Sequence, residues 1–378
     1  MKRISVTRFA SSIFITLIFL SASSSAKAAE EWNPKRTWAF FVCLVEWKDK
    51  ETFSSFPKNN RKDTVLRDTL KARGVPAEQI VYLQDSAAKT AVVEQKFAEF
   101  LKKPAPGDWV FVYFEGHGYK TDDGVPYLAT YDVNESIKGW KFDTVPDAIE
   151  QNFKGSHAII ALDNCYSGAM ADAVRRKPRR ISYGVLASSL ASQLSTSNWT
   201  FTESLISAFN GASFVDKDRD GTITFAELGE NSKEDMLFGE EQVATIAFTG
   251  KFDPQIVLSK AESSTSNRVG ERVEAYSVDG WYRGFIVDSK GGKQKVHYYG
   301  YETTDDEWVT EDKIRRSKTV QYAKGTTVEV EWKGDWYKAT VLAVKGGSHF
   351  VTYIGYGKEW DEWVSSKRIR KLNFSDLP

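Results

Sequence analysis

This chain of 378 residues has few cysteines, few histidines and a formal net charge of zero. It contains only two cysteines and four histidines, so no disulfide framework can hold it together and its fold must rely on a packed core. Lys+Arg and Asp+Glu are equal at 51 each, which argues against a nucleic-acid partner bound mainly through phosphate contacts. Cys43 lies inside an apolar run and is predicted to be a buried strand residue. Cys165 instead follows such a run.

Long apolar stretches are also rare, and the N-terminal one is short. Lys2, Arg3 and Arg8 precede the apolar residues 13–20, and a small-x-small site follows and ends at Ala28. The pattern predicts a signal peptide over 1–28 and export, to the periplasm or out of a bacterial cell. The alternative is an uncleaved membrane anchor, for which the stretch is too short and too rich in serine. We expect no stable membrane anchor after cleavage.

Residues 30–259 alternate strand-like apolar runs with stretches of helical periodicity. This alternation predicts an α/β domain with a mostly parallel sheet sandwiched by helices. The predicted strands are 38–45, 80–83, 109–114, 157–162, 183–187 and 243–248, and the predicted helices are 62–72, 91–101 and 201–209.

The C-terminal third of the chain is a duplication. A polar linker at 260–267 leads into two copies at a constant offset of 55 residues (325−270 and 361−306), assigned to 268–317 and 322–373. Each copy has the length and Gly-rich turns of a small SH3-like β-barrel. Trp308 and Trp363 occupy the same position in the two copies and are predicted to fill the barrel cores.

Two predicted strands end in reactive residues flanked by small ones. His117 follows the strand at 109–114, and Cys165 follows the strand at 157–162. Ligands of α/β sheets bind beyond the carboxyl ends of the strands, so both side chains are expected where chemistry occurs. A cysteine at the start of the next helix would gain thiolate character, and a histidine beside it could transfer protons. Either residue alone is more simply a packed one, but the pair favours catalysis.

The motifs around these residues resemble those of the caspase/metacaspase clan of cysteine peptidases. The histidine motif is 114–118 (FEGHG) and the cysteine motif is 163–168 (DNCYSG), within a resemblance that extends over about 35–255. The resemblance implies a caspase-like fold and an endopeptidase with Cys165 as nucleophile and His117 as general acid/base. It also implies an oxyanion hole made by the backbone N–H groups of Gly118 and Cys165.

Substrate specificity follows from the same resemblance. Asp163, two residues before the cysteine, and Asp63 would line the pocket that selects Arg or Lys at P1. The alternative for Asp163 is a turn residue that caps the next helix. The basic run at 175–180 is predicted to be an exposed loop close to the active site, where the enzyme could cleave itself.

Residues 216–227 fit a twelve-residue EF-hand loop. Carboxylates, a backbone carbonyl, a hydroxyl and a closing bidentate glutamate stand at the ligand positions, and Gly221 stands at the sharp turn. The predicted ligands are Asp216, Asp218, Asp220, Thr222, Thr224 and Glu227. We expect Ca²⁺ as a cofactor and no organic cofactor. The alternative is a connector loop with weak or no calcium affinity.

The duplicated modules resemble the chromo-barrel/Tudor family, whose aromatic cages bind methylated ammonium groups by cation–π attraction. By position, the cage of the second copy would be Tyr337, Tyr353, Tyr356 and Trp360, and the first copy keeps Tyr282, Tyr298 and Tyr301. The first copy has Asp305 in place of Trp360, which leaves its cage open on one side. We expect the modules to bind a peptide, protein or surface ligand.

Two functions fit these patterns. The first is an exported cysteine endopeptidase that acts on protein or peptide substrates and uses its barrels to bind them or a partner. The alternative is a catalytically silent caspase-like scaffold that binds ligands through its Tudor-like modules. The presence of both His117 and Cys165 favours the peptidase.

Overall fold

The computed structural model describes most of the chain beyond the N-terminal segment. The described ranges are 30–59, 61–264, 266–316, 321–332, 334–345, 348–366 and 368–372. The predicted signal peptide lies outside them, so its cleavage and export stay predictions. Within these ranges, no helix has the length and apolar character needed to cross a membrane.

A six-stranded sheet organises the α/β domain, in the order β10-β8-β7-β3-β1-β2. Its strands run parallel except β10, which pairs antiparallel with β8. In chain order the strands of this domain are β1 Thr37–Cys43, β2 Ile80–Gln84, β3 Trp109–Glu115, β4 Gly118–Lys120, β5 Pro126–Leu128, β6 Trp140–Lys141, β7 His157–Asp163, β8 Ser182–Ala187, β9 Thr222–Thr224, β10 Thr245–Thr249 and β11 Val257–Lys260. All six strands predicted from the sequence are present, and together they are the central sheet.

Helices cover both faces of this sheet, because the apolar strand residues point alternately to either side. One buried cluster joins the sheet to α2, α3 and α4, and a second joins it to α1, α5 and α6. The helices are α1 Asp63–Ala72, α2 Thr90–Phe100, α3 Thr144–Asn152, α4 Ala169–Arg175, α5 Thr200–Asn210 and α6 Phe225–Glu240. The prediction of a mostly parallel sheet between helices is confirmed. Cys43, at the end of β1, is fully buried as expected.

Each C-terminal module is a five-stranded antiparallel sheet compatible with a small barrel. The strand orders are β15-β14-β13-β12-β16 and β20-β19-β18-β17-β21, which is the same topology twice. The strands are β12 Arg272–Ser277, β13 Gly280–Lys290, β14 Lys293–Tyr298, β15 Glu307–Thr310, β16 Ile314–Arg315, β17 Thr327–Trp332, β18 Asp335–Lys345, β19 Ser348–Tyr353, β20 Glu362–Val364 and β21 Ile369–Lys371.

The cores of these modules are built mainly from small aliphatic residues. Val273, Ile286 and Val296 are fully buried in the first module, as are their counterparts in the second. The prediction that Trp308 and Trp363 fill the cores is wrong. Trp308 is 42% exposed, and Trp363 is half-buried against Phe350 outside the core cluster. Both tryptophans lie on the outer face of their strand, whereas the next residue, a valine, faces the core.

The first module lies against α6 of the α/β domain. Tyr299 is buried there, and its hydroxyl donates a hydrogen bond to Asp235 at 2.8 Å. Arg272 pairs with the same carboxylate at 2.8 Å, and Arg283 pairs with Glu241 at 2.7 Å. A buried tyrosine and two arginines therefore fix this module to the domain.

The second module lacks these groups at the equivalent positions, 55 residues later. Ile354, Thr327 and Lys338 replace the tyrosine and the two arginines, and Ile354 is 52% exposed. The two copies have therefore diverged, and the surface that docks one of them to α6 is absent from the other.

Candidate functional site

His117 lies just beyond the carboxyl end of β3. It packs between the rings of Trp47 and Phe56, with centroids 4.4 Å and 4.5 Å from its own. Gly116, before it, adopts φ 148°, where a side chain would come within 3.2 Å of the Leu44 carbonyl oxygen. Burial lowers the pKa of His117, against a smaller opposing effect of its hydrogen bond to Ser54. The imidazole is therefore neutral at pH 7.

The hydrogen bond of His117 also fixes the tautomer. Its Nε2 atom lies 2.8 Å from the carbonyl oxygen of Ser54. A carbonyl can only accept, so Nε2 carries the proton and donates it. Nδ1 of the neutral ring is then left with a free lone pair, and it is the atom that can take up a proton.

Cys165 lies in a turn after β7, where the backbone folds back sharply. The prediction that it starts the following helix is wrong, because α4 begins four residues later, at Ala169. Its Sγ atom accepts a hydrogen bond from the backbone N–H of Ser195 at 3.2 Å. Burial raises the pKa of the thiol, and backbone N–H groups offset part of that increase. The resting side chain is therefore a thiol.

The two catalytic candidates line one cavity of about 400 Å³. The strand register explains why, since Glu115 at the end of β3 is paired with Asp163 at the end of β7. His117 and Cys165 each follow two residues later. The other residues that line the cavity are Phe56, Gly116, Asn164 and residues 195–198.

Gly118 lies in close contact with the cysteine turn. A Cβ atom at this position would come within 2.2 Å of both the Asn164 side chain and the Cys165 carbonyl oxygen, so only glycine fits. Against the larger effect of burial, backbone groups of Gly118 and Cys165 help to lower the pKa of the thiol. Gly118 thus packs against the turn of Cys165, and the oxyanion hole formed by their two N–H groups stays a prediction.

Asp163 is buried below the cavity and is absent from its lining. One of its carboxylate oxygens accepts hydrogen bonds from the Thr202 hydroxyl at 2.7 Å and from the Thr202 N–H at 3.3 Å. These contacts tie it to the first turn of α5 instead of the helix that follows it. Burial raises the pKa of Asp163 to about 6.

Asp63, the second predicted specificity acid, is also buried and already paired. Arg61 contacts both of its carboxylate oxygens, at 3.1 Å and 2.8 Å, and also reaches Asp85 at 2.7 Å. The hydroxyl of Tyr82 donates to Asp63 at 2.6 Å. Asp63 does not line the cavity of His117 and Cys165 either. The structure thus places both acids outside the lining of the cavity that contains His117 and Cys165.

Three predicted calcium ligands converge. Asp216, Asp218 and Glu227 each bring an oxygen within 4.8 Å of the others. Oδ1 of Asp216 is buried and has no hydrogen-bond partner in the described part of the chain. Gly221 adopts φ 89°, which permits the tight turn. These carboxylates suit a hard divalent cation with oxygen ligands.

The remaining predicted ligands form hydrogen bonds within the loop, as the three convergent carboxylates also do. Asp220 accepts hydrogen bonds from the N–H and hydroxyl groups of Thr222, at 2.8 Å and 2.7 Å. The hydroxyl of Thr224 bonds to Glu227 in a capping box that begins α6. Thr222–Thr224 forms β9, which pairs with β11. The loop is therefore joined directly to the helix that carries the first module.

The second module forms an aromatic cage around a cavity of about 360 Å³. Tyr356 is central, with ring centroids 5.9 Å from Tyr337, 6.1 Å from Tyr353 and 6.4 Å from Trp360. These rings are tilted by 66° to 85° to that of Tyr356, so they form walls and do not stack. All four predicted residues thus line one cavity. Trp332, which was not predicted from the sequence, forms a further wall.

The first module keeps only part of this arrangement. Tyr282, Tyr298 and Tyr301 are 6.1 Å to 6.3 Å apart and mutually perpendicular within about 20°. Ser277 stands at the position of Trp332, and Asp305 at that of Trp360. The first cage therefore lacks two of its walls.

The comparisons with known proteins bear mainly on the second module. No curated protein matches the sequence. A solved structure, protein GSU0716 from Geobacter sulfurreducens, matches 60% of this chain and 99% of its own length with 13% identity and a TM-score of 0.43. Residues 322–371 match the Tudor-knot model, described as the RNA-binding-activity knot of a chromodomain. The second module is therefore similar to the chromodomain-like Tudor-knot family.

Proposed function

We propose that the chain is a cysteine endopeptidase of the caspase/metacaspase type. The supporting observation is one cavity at the carboxyl ends of β3 and β7 that is lined by the Cys165 thiol and the neutral imidazole of His117, with Gly118 packed against the cysteine turn. Acyl transfer needs a nucleophile, a base and a set of oxyanion donors. The thiol and the imidazole would supply the first two, and we assign the third to the N–H groups of Gly118 and Cys165.

The chemistry begins from uncharged partners. Nδ1 of His117 takes the proton of the Cys165 thiol as the sulfur attacks the scissile carbonyl carbon. The N–H groups of Gly118 and Cys165 stabilise the oxyanion of the tetrahedral intermediate. The imidazolium then protonates the leaving amine, which departs and leaves a thioester. Water, deprotonated by His117, hydrolyses the thioester and restores the thiol.

We propose that the peptidase cleaves after Arg or Lys. Glu115 and Asp163 end the neighbouring strands β3 and β7, and Asp63 begins α1. Oε1 of Glu115 has no hydrogen-bond partner within the described ranges. A basic P1 side chain would have to reach these buried acids from the cavity. Arg61 competes with it, because Arg61 already neutralises Asp63.

Calcium is proposed to bind the loop at 216–227. Asp216, Asp218 and Glu227 would hold the ion, which would neutralise their mutual repulsion. Because Glu227 lies in the first turn of α6, occupancy would stabilise the start of the helix that carries the first module. The role proposed for the ion is structural.

The second module is proposed to bind a cationic ligand. The description of the Tudor-knot model names RNA binding, but the cage of this chain includes the carboxylate of Asp361, which repels phosphate. Glu362, also in the lining, is neutralised by Arg368. A silent scaffold that binds only through this cage is the alternative to the peptidase.

The deciding experiment compares fluorogenic peptides that differ only in P1, as Arg, Lys, Asp or Ala. Wild-type protein with calcium should cleave the Arg and Lys peptides, and Cys165→Ala should cleave none of them. Turnover retained in Cys165→Ala would reject the nucleophile. Cleavage of the Asp peptide alone would reject basic specificity and keep the peptidase. A correctly folded wild-type protein that cleaves nothing would favour the scaffold.

A further inference from the structure

The residues between β8 and α5 touch both the nucleophile and the aromatic cage. Within this segment, residues 190–198, the N–H of Ser195 donates to the Cys165 sulfur at 3.2 Å. Three residues earlier, Ser192 lines the cage of the second module. Three residues of extended chain span at most about 10 Å, so the cage opens close to the catalytic cavity.

Several contacts hold the 190–198 segment in this place. Tyr166, next to the nucleophile, donates its backbone N–H to the Gln193 carbonyl oxygen at 2.8 Å. The Ser195 hydroxyl bonds to Ser188 at 3.0 Å. At the far end, Asn198 donates to Glu240 of α6 at 3.0 Å. The segment is thus held in place by hydrogen bonds and contributes residues to the lining of both the cavity and the cage.

The cage has the chemistry of a site for an alkylated ammonium group. Its aromatic walls present the negative faces of their rings, and the carboxylate of Asp361 adds negative charge. Arg368 neutralises Glu362 and lies 5.6 Å from the Trp332 ring centroid, at one side of the cage. Glu362 is paired with Arg368 at 2.8 Å, whereas Oδ1 of Asp361 is buried with no hydrogen-bond partner among the described residues. A plain ammonium is strongly hydrated, so alkyl groups lower the cost of entering this cavity.

We propose that the cage and the catalytic cavity form one composite substrate site, for peptides in which a lysine close to the scissile bond carries methyl groups. The methylated side chain occupies the cage, and the peptide backbone crosses the 190–198 segment to Cys165. This proposal rests on the peptidase function for its catalytic half. The cage residues follow the family pattern, whereas the junction with the cavity depends on Ser192 of the α/β domain.

The first test measures binding without turnover. Two peptides of one sequence, with lysine or trimethyl-lysine four residues from the cleavage site, are titrated into full-length Cys165→Ala. We expect the trimethylated peptide to bind about tenfold more tightly, as a desolvated cation–π site allows. Tyr356→Ala should abolish the preference. Ile354→Ala is the matched control, because Ile354 and Tyr356 are 52% and 51% exposed and only Tyr356 lines the cage.

The second test links the cage to the nucleophile. With otherwise wild-type protein, trimethylation should lower KM and leave kcat unchanged, and Tyr356→Ala should remove the difference. Bound trimethylated peptide should also slow alkylation of Cys165 by iodoacetamide, a readout that needs no turnover. Protection without cleavage would reject the peptidase and keep the junction.

Three results would overturn the composite site. The first is equal binding of the two peptides. The second is a cage-dependent preference that affects neither KM nor alkylation, which would make the cage a separate site. The third is a single-stranded RNA oligonucleotide that binds wild-type protein but not Tyr356→Ala, which would assign the cage to nucleic acid.

Discussion

Replacing Asp163 by asparagine tests whether a buried carboxylate is kept for function at a cost in stability. Burial raises the pKa of Asp163 from 3.8 to about 6, and the side chain is 2% exposed. Its folded pKa lies above its unfolded one, so the folded state is favoured most below pH 3.8 and loses this advantage as the pH rises through 6. The difference of about two pKa units corresponds to about 3 kcal/mol at pH 7.5.

Asparagine keeps the oxygen that accepts from Thr202 and has no charge to bury. We therefore expect Asp163→Asn to be more stable than wild type by about 3 kcal/mol at pH 7.5, with the gain falling to near zero at pH 4. Urea unfolding followed by tryptophan fluorescence at both pH values measures this. Asp122→Asn, in an exposed turn, is the control and should change little.

Measuring peptide cleavage by Asp163→Asn distinguishes a role of Asp163 in substrate selection from a purely structural one. If Asp163 selects basic P1 residues, the stabilised variant should lose cleavage after Arg and Lys. A variant that is less stable at pH 7.5, or equally stabilised at both pH values, would refute the reasoning from burial. Full activity of the stabilised variant would leave Asp163 as a structural residue of the α5 turn.

Three further predictions concern the nucleophile, the calcium loop and the docked module. Because burial raises the pKa of Cys165 above its usual value, its alkylation by iodoacetamide should accelerate about tenfold per pH unit from pH 7 to 9; a plateau already present at pH 6 would indicate a preformed thiolate. Glu227→Gln should weaken calcium binding in calorimetry by about tenfold or more, and the exposed Glu230→Gln on the same helix should not; equal affinities would exclude Glu227 as a ligand. Tyr299→Phe removes a buried hydrogen bond to the Asp235 carboxylate and should lower the free energy of unfolding by about 1.5–3 kcal/mol, measured with urea; no change would mean that the docked arrangement does not persist in solution.

The central sheet was predictable because its strands are continuous apolar runs bounded by turns. α6 was not predicted, although it is the longest helix within the described ranges. Its buried face includes Asn231, Ser232 and Asp235, which serve hydrogen bonds within the domain and to the first module. A helix that buries polar groups lacks the apolar period by which helices are recognised.

The cavity of His117 and Cys165 was predictable only where residues follow strands. His117 and Cys165 are placed by the parallel register, which the apolar runs imply. Ser195 lies in a segment without regular structure, so no period could bring it to the sulfur. Trp332 ends β17, and its counterpart in the first copy is Ser277, so the repeat gave no sign of an aromatic wall there.

The position of the basic run at 175–180 follows from the parallel pairing of β7 and β8. β8 runs parallel to β7, and Ser182 pairs with His157, so the run lies at the sheet edge opposite Cys165. Seven strand residues separate the two edges, a distance of about 20 Å. Arg179 and Lys177 are also tied to Asp147 of α3, at 2.6 Å and 2.8 Å. The prediction of a loop close to the active site is therefore wrong.

That separation has a kinetic consequence. If the chain is the proposed peptidase, Cys165 of one molecule cannot reach its own basic run while the sheet is intact, so any cleavage there must take place between two molecules. Its rate would then rise with the square of the protein concentration, and dilution would preserve the intact chain. Molecules crowded on a surface or in a narrow compartment would be processed, whereas the same number spread through a large volume would not.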